Sequence, residues 1–567
     1  MTSDVASLWR PGNMACLGFM FLLALLPRLY SALTLGWDWD APGSFTLINF
    51  DEAGSCRAAL GGFNYSTFMG RQTIAIAEML GKGPEPGIVG NAAAAKAFCH
   101  SPDHIVIARA YSAVAGALTV VLVGIIALLL VPLQPAVAWT ASALLALSGF
   151  HVSESHSGTV DAPSVMFIYA FLALMVFAVS RGSRRGLLVS PVLLVAAIWT
   201  KYWVFAVFSY LAYVPLQAWR YVTHGMSPGR IGVVIFATAL LLDMLTNSAF
   251  QAANLYPLLS LYYLAIPWRR VHRPMVIVWL LVPLLAYGIC QIDIIASYTT
   301  GGSTYGAIGW NKWLRNLVNV PTVLLVGLGI PACLFMPIGI RFIASGGGNV
   351  RGWLCLMPLL FFALFMAFLA PVTYYRHYLA LIPAAAIVSA CGLFATSWVR
   401  RRWFMALFFV WPGLLAVDVV RDYHQDPRIE LRQWYKDNEG ARVFFSYYVS
   451  PPPQRGGNNR LFRPEYAFGD GAALRQAQFL ILSENWYDTA YANELNGPLV
   501  SNSARLIKTR PEYVRFYRDA LAKRHSNLVL EQSIEVENFM PELMVHRWLY
   551  GTFQIFVGDI RIFRVIK

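Results

Sequence analysis

Residues 105–131 read IVIARAYSAVAGALTVVLVGIIALLLV. A run of this length and composition is long enough, as a helix, to cross about 30 Å of hydrocarbon, which takes roughly 20 apolar residues. Comparable runs recur along the chain, at about 14–35, 136–153, 163–180, 187–200, 202–219, 231–250, 252–268, 274–296, 317–340, 353–374, 377–398 and 403–419. The composition agrees, with 57% hydrophobic and 13% charged residues over 567 positions. A soluble chain carries about twice that charged fraction. The expected fold is therefore an all-α polytopic membrane domain of about thirteen spans over 1–419. The pairs of short segments around Lys201 and Asn247 are alternatively hairpins that do not fully cross.

The net charge of +14 does not point to nucleic acid. Arginine sits in the short turns between apolar segments: Arg181, Arg184 and Arg185; Arg220 and Arg230; Arg269, Arg270 and Arg273; Arg341 and Arg351; Arg400 to Arg402. That is the positive-inside distribution. It predicts a cytoplasmic N-terminus and contact with anionic membrane lipids. Arg28 interrupts the first apolar run, which is too long for a cleaved signal peptide.

Three regions then lie outside: 36–104, 297–316 and 420–567. The last has ordinary soluble composition. Residues 443–449, 477–482, 528–536 and 560–565 read as strands. Pro511 opens a predicted helix to about Lys523, since proline is tolerated in a first helical turn. Residues 420–567 are expected to form a small extracytoplasmic α/β domain. Pro451 to Pro453 and the Gly/Asn run after them make a loop within it.

Ionisable groups at helix ends nominate the site, because charge near hydrocarbon is costly and marks function by default. Asp51-Glu52 lies in the first outer loop, in Asn49-Phe50-Asp51-Glu52-Ala53. The pair reads as a general base, a cation site, or helix-terminal charges complementing a dipole. Phe150 to Asp161 is unusually polar between two apolar runs. His151, Glu154, His156 and Asp161 make a metal reading conceivable, but their spacing fits no standard zinc motif. A solvated turn is the alternative. Lys201, in Trp199-Thr200-Lys201-Tyr202-Trp203, is either functional or a lysine snorkelling among interfacial aromatics. Arg376-His377 places an arginine on the outer side, against the topological trend. It wants an anionic partner such as a phosphate, which guanidinium grips bidentately.

In order and spacing these residues resemble the polyprenyl-phosphate-sugar-dependent glycosyltransferases of the GT-C fold, in the protein-mannosyltransferase and aminoarabinose-transferase branch. That family's Asp-Glu pair matches Asp51-Glu52. Its H-x-x-x-x-D-x-P pattern matches His156, Asp161 and Pro163. Its T-K-Y pattern matches Thr200-Lys201-Tyr202. Its R-Y-x-x-P-x-x-P pattern matches Arg376 and Pro383 in spacing, with His377 for tyrosine and Ala380 for the first proline. Phe50 stands where many members have proline. The resemblance implies transfer of a sugar from a polyprenyl-phosphate donor to a hydroxyl or amine of a glycan, lipid or protein, with inversion. On this reading Asp51 is the catalytic base. Glu52, His156 and Asp161 position base or acceptor, and Lys201, Arg376 and His377 bind the donor phosphate. No cofactor is required, and a divalent cation beside Asp51 stays open. A transporter with Asp243 as its intramembrane acid, a noncatalytic envelope-assembly subunit and a metal-dependent hydrolase are the competing classes.

Cys16, Cys290, Cys333, Cys355 and Cys391 lie in apolar runs and read as packing residues. Cys56 and Cys99 share the first outer loop and are expected to form a disulfide in an oxidising compartment.

Overall fold

The computed structural model describes residues 10–39, 45–63, 65–181, 310–345, 350–368, 375–446, 459–467, 471–483, 511–550 and 558–566, with residue 449 and part of 183–201. The spans expected at 202–219, 231–250, 252–268 and 274–296, Asp243, and most of the 297–316 loop lie outside the described residues.

Helix α1 (Pro11–Thr34) leads into the first loop. That loop is folded rather than extended. It carries a 3-10 turn (Phe50–Ala53) and helices α2 (Gly54–Ala59), α3 (Phe68–Met79) and α4 (Ala92–Cys99). A disulfide joins Cys56 in α2 to Cys99 in α4, with Cα atoms 5.8 Å apart. Helix α5 (Pro102–Leu130) follows. Its start is written in the sequence: Ser101 accepts from the His104 amide at 3.3 Å, and Pro102 occupies the first turn. α5 is buried along its length and packs against α1.

The run expected to span 136–153 is broken. Helices α6 (Pro135–Ala146) and α7 (Gly149–His156) meet at 58°. Ser148 caps the new helix by accepting from the His151 amide at 3.3 Å. The carbonyls freed at the end of α6 are taken by Arg28 of α1, whose guanidinium donates to Ala146 and Leu145, each at 3.2 Å. In hydrocarbon such groups must be satisfied internally, and a cation is well placed at a helix C-terminus. Residues Phe150 to Asp161 are all buried, so this stretch is not a solvated turn. Helix α8 (Asp161–Arg181) continues from it and packs against α5.

The run expected at 317–340 is broken as well. Helices α9 (Trp310–Leu328) and α10 (Ile330–Ser345) meet at 116°. Gly329 makes the corner at φ +79°, a conformation that costs glycine little. Helix α11 (Val350–Phe368) precedes a 3-10 turn (Tyr375–Tyr378) and helix α12 (Leu381–Phe394). α12 lies so close to α10 that a Cβ on Gly392 would overlap the Phe335 carbonyl. Close backbone approach at small residues is how helices pack in lipid. Helix α13 (Arg402–His424) is next.

Four described stretches are long and apolar enough to cross a membrane, or six if each bent pair is one span. With the composition, this makes the chain an integral membrane protein.

After α13, helix α14 (Pro427–Asp437) leads to β1 (Val443–Phe445), β2 (Asn459–Leu461) and β3 (Phe479–Ser483). Helix α15 (Pro511–Leu521), β4 (Leu528–Ile534), helix α16 (Pro541–Tyr550) and β5 (Ile560–Val565) complete the described elements. The strands form one sheet in the order β2-β1-β3-β5-β4. β1 runs parallel to β2 and β3, and β5 antiparallel to β3 and β4. Alternation along the strands fills two faces. Phe444, Leu480, Leu482 and Phe563 pack with Phe516 and Ala520 of α15. Val443, Ile481, Ile560 and Ile562 pack with Leu431 and Trp434 of α14, and with Trp39 of the first loop.

The disulfide closes a segment of 43 residues. Replacing both cysteines by serine should lower unfolding stability by about 3–4 kcal/mol in the chain-entropy model. Thermal unfolding of the detergent-solubilised protein measures this, and a wild-type midpoint would remove the bond as a stabilising tie.

Candidate active site

Adjacent residues in a tight helical turn point in different directions, and the 3-10 turn at 50–53 uses this. The Asn49 side chain accepts from the Asp51 amide at 2.9 Å, and Glu52 reaches back to the Asn49 amide, completing a capping box. Glu52 faces inward and is fully buried. Arg109 of α5 holds it bidentately, Nε to Oε1 at 2.7 Å and Nη2 to Oε2 at 2.9 Å. The Gly158 amide donates to Oε1 and the Ile48 amide to Oε2, each at 3.0 Å. This carboxylate fastens the first loop to α5 and to the turn before α8.

Asp51 faces the other way and keeps a quarter of its side chain exposed. Arg376 Nη2 lies 2.6 Å from Asp51 Oδ2, and Arg376 Nη1 donates to Asn49 Oδ1 at 3.3 Å. Burial opposes the Arg376 charge, but Asp51 and then Asp161 outweigh it and raise its proton affinity. Asp161, the first residue of α8, is buried and meets Lys201 Nζ at 2.7 Å. Ser164, one turn along α8, donates to the Lys201 carbonyl at 2.6 Å and fixes that backbone. His377 lies within electrostatic reach of Asp161. Two ion pairs, Asp51–Arg376 and Asp161–Lys201, thus lie in one electrostatic neighbourhood.

His156 is buried in the last turn of α7 and packs edge-on against Tyr423 of α13, ring centroids 4.6 Å apart. The conceivable metal set is divided among separate partners. His151 contacts Arg28 at 2.9 Å, His156 packs on Tyr423, and Asp161 holds Lys201. Among the described residues, no three His, Cys, Asp or Glu side chains are placed to hold a metal ion.

Three participants were not singled out from the sequence. Arg109 had a visible signal, a lone cation in an apolar run that demands a buried partner. Asn49 also had one, as the cap of a two-acid turn. Tyr65 had none. Its phenol is pushed well above the ordinary tyrosine range by burial, then by Asp51, with Asp161 adding and Arg376 opposing. Those influences put its ring within electrostatic reach of both ion pairs.

Residues 74–254 match the family model described as dolichyl-phosphate-mannose-protein mannosyltransferase, within the branch that the motifs resemble. No curated protein matches the chain. Among solved structures, the chain is similar to the apo oligosaccharyltransferase of Archaeoglobus fulgidus, at 12% identity and TM-score 0.47, covering 97% of this chain and 72% of that one. ArnT from Cupriavidus metallidurans bound to undecaprenyl phosphate is similar at 12% identity and TM-score 0.39, covering 86% of this chain and 96% of that one. The mycobacterial arabinofuranosyltransferase AftD is similar at 12% identity and TM-score 0.28, covering 97% and 40%.

Removing one partner of a buried pair leaves an uncompensated charge. Arg109→Met should therefore destabilise the protein by about 3–5 kcal/mol. Arg109→Lys should rescue little, since a point charge cannot replace the two-pronged contact. Thermal unfolding in detergent checks both, and full rescue by lysine would contradict the bidentate role.

Proposed function

We propose that this protein is a membrane glycosyltransferase that moves a sugar from a polyprenyl-phosphate donor to an acceptor at the outer membrane face, inverting the anomeric carbon. The observation that carries the reading is the partly exposed Asp51 carboxylate against Arg376, with Lys201 on Asp161 nearby. The match of residues 74–254 to a family named for a dolichyl-phosphate-linked mannose donor supports it.

An acceptor hydroxyl is a poor nucleophile, and a carboxylate held beside it takes its proton as the new bond forms. Asp51 has that role. The acceptor oxygen bonds to the anomeric carbon while the bond from that carbon to the phosphate oxygen breaks. The electron pair leaves with the phosphate, and fixed cations stabilise the charge that develops there. Arg376, Lys201 and His377 supply this stabilisation. A donor phosphate drawn to Arg376 shares the guanidinium with Asp51, which brings the leaving group and the carboxylate to one cation. Glu52 positions the base by holding its turn, Asp161 positions Lys201, and His156 belongs to the supporting wall.

The topology belongs to the same reading: a transmembrane domain over 1–419 with about thirteen spans, a cytoplasmic N-terminus, and residues 420–567 outside. The Cys56–Cys99 bond supports placing the first loop in an oxidising compartment. The acceptor is a glycan, lipid or protein of the cell envelope, presented on that side.

Asp51→Asn should lower transfer by about 10²–10⁴-fold, the usual worth of a general base, with donor binding retained. Arg376→Ala and Lys201→Ala should weaken donor binding more than acceptor binding. Transfer from a radiolabelled polyprenyl-phosphate sugar, with direct donor binding in nanodiscs, measures both. Wild-type turnover by Asp51→Asn would remove the base from this scheme.

A further inference from the structure

The turn that carries Arg376 is short and has little backbone of its own to hold it. It is a 3-10 segment of four residues, Tyr375–Tyr378, and the Leu379 amide bonds the Arg376 carbonyl at 3.2 Å. Such segments have poorer hydrogen-bond geometry than α-helix. Where the guanidinium points therefore depends on what the flanking side chains touch.

Tyr375 immediately precedes Arg376, and its ring is gripped from two directions. Phe150 of α7 meets it edge-on with centroids 6.4 Å apart. His546 of α16 meets it edge-on at 4.6 Å and 84°. α16 belongs to the C-terminal part of the chain, far from the turn in sequence, yet it is fixed against the membrane helices. Asp418 of α13 accepts from the amides of Phe539 and Met540 at 2.9 and 2.7 Å. Glu542 Oε1 accepts from the Ile330 amide at 2.9 Å, at the bend between α9 and α10, and from Trp411 Nε1 of α13 at 2.6 Å. Leu543 lies in the same apolar cluster as the membrane helices. Residues four apart share a helix face, so the anchoring at Glu542 carries His546 to Tyr375 one turn later. Both side chains are buried.

We propose that His546 is a positioning residue for the donor site: its ring packs on Tyr375 and thereby sets Arg376 against Asp51 and the donor phosphate. This rests on the assignment of Arg376 to the donor phosphate. Edge-to-face rings prefer one offset and one inclination, so the contact fixes the ring's direction, and a guanidinium displaced by even 1 Å loses much of its effect on a reacting group.

The test uses the full-length protein in nanodiscs and a polyprenyl phosphate as binding probe, with KM for donor and acceptor measured separately. His546→Leu fills the space without an aromatic edge, and His546→Phe restores the edge. His546→Leu should weaken polyprenyl phosphate binding and raise donor KM by about two- to tenfold, the worth of one aromatic pair, with acceptor KM unchanged. His546→Phe should recover most of the loss. Combined with Tyr375→Leu, His546→Leu should add nothing further. Unchanged donor binding in His546→Leu, equal loss of donor and acceptor affinity, no recovery in His546→Phe, or additive losses in the double variant would each overturn the proposal. Should His546→Leu fail to fold, Tyr375→Leu is read against Tyr375→Phe by the same measurements, with the same expected split and the same overturning results. Arg376→Ala separates the two assignments. If it leaves binding intact, the donor reading itself fails. If it weakens binding while His546→Leu does not, only the positioning role fails.

Discussion

The site depends first on a charge that does not face it. Glu52 and Arg109 are both fully buried, and a buried carboxylate is tolerable only when its lone pairs are met by well-aligned donors. Arg109 supplies two, and the backbone amides of Gly158 and Ile48 supply more. The consequence is geometric. With Glu52 locked inward, the neighbouring residue of the same turn projects outward. Asp51 thereby reaches Arg376 across more than three hundred positions of sequence. Two adjacent acids do different work because one is spent on holding the other.

The same requirement explains how polar groups collect between apolar helices at all. A straight span satisfies its backbone internally and leaves no place for a site. The break between α6 and α7 exposes carbonyls, and Arg28 answers them. The chain then turns through a buried polar stretch into α8, whose first residue is Asp161. Asp161 sits where the positive end of the helix dipole favours an anion, and Lys201 completes its neutralisation. The broken helices, the buried arginines and the two ion pairs form one solution to the cost of charge in a low-dielectric interior.

Much of this was legible in the chain. Apolar length located the helices α1, α5, α8 and α13 to within a few residues, and the strands β1, β3, β4 and β5 fall in the stretches that read as strands. The breaks at Leu147–Ser148 and Gly329 were not legible from apolar length, because hydropathy runs on through them. Their causes are local: a serine cap in one case and a left-handed glycine in the other. The helices of the first loop were not located from the sequence, since they are short and draw their stability from a disulfide and from packing on one another. Strand β2 was missed because three residues carrying asparagine and arginine have no alternating signal. Asp51, Lys201 and Arg376 stood out as charges in the wrong place for lipid. Tyr65 and Tyr375 did not, because tyrosine is unremarkable at a membrane interface and only the fold tells which ring is part of a site.

The C-terminal sheet bears on both halves of the Asp51–Arg376 pair, by independent routes. Its inner face takes Trp39 of the first loop, which meets Tyr435 of α14 edge-on with centroids 6.1 Å apart. Arg428 of α14, held by Asp426, donates to the Leu47 carbonyl at 3.1 Å, four residues before Asp51. The loop with Asp51 is thus tied to the C-terminal region upstream of that residue and closed by the disulfide downstream. The turn with the cation is approached from the other side by α16. A rigid-body shift of the sheet relative to the membrane helices would bear on both partners, because each is contacted by an element of the C-terminal region. Bonds to Asp418, Asp422 and Glu542 oppose such a shift, so the register of the sheet on the membrane helices and the geometry of the ion pair are one constraint.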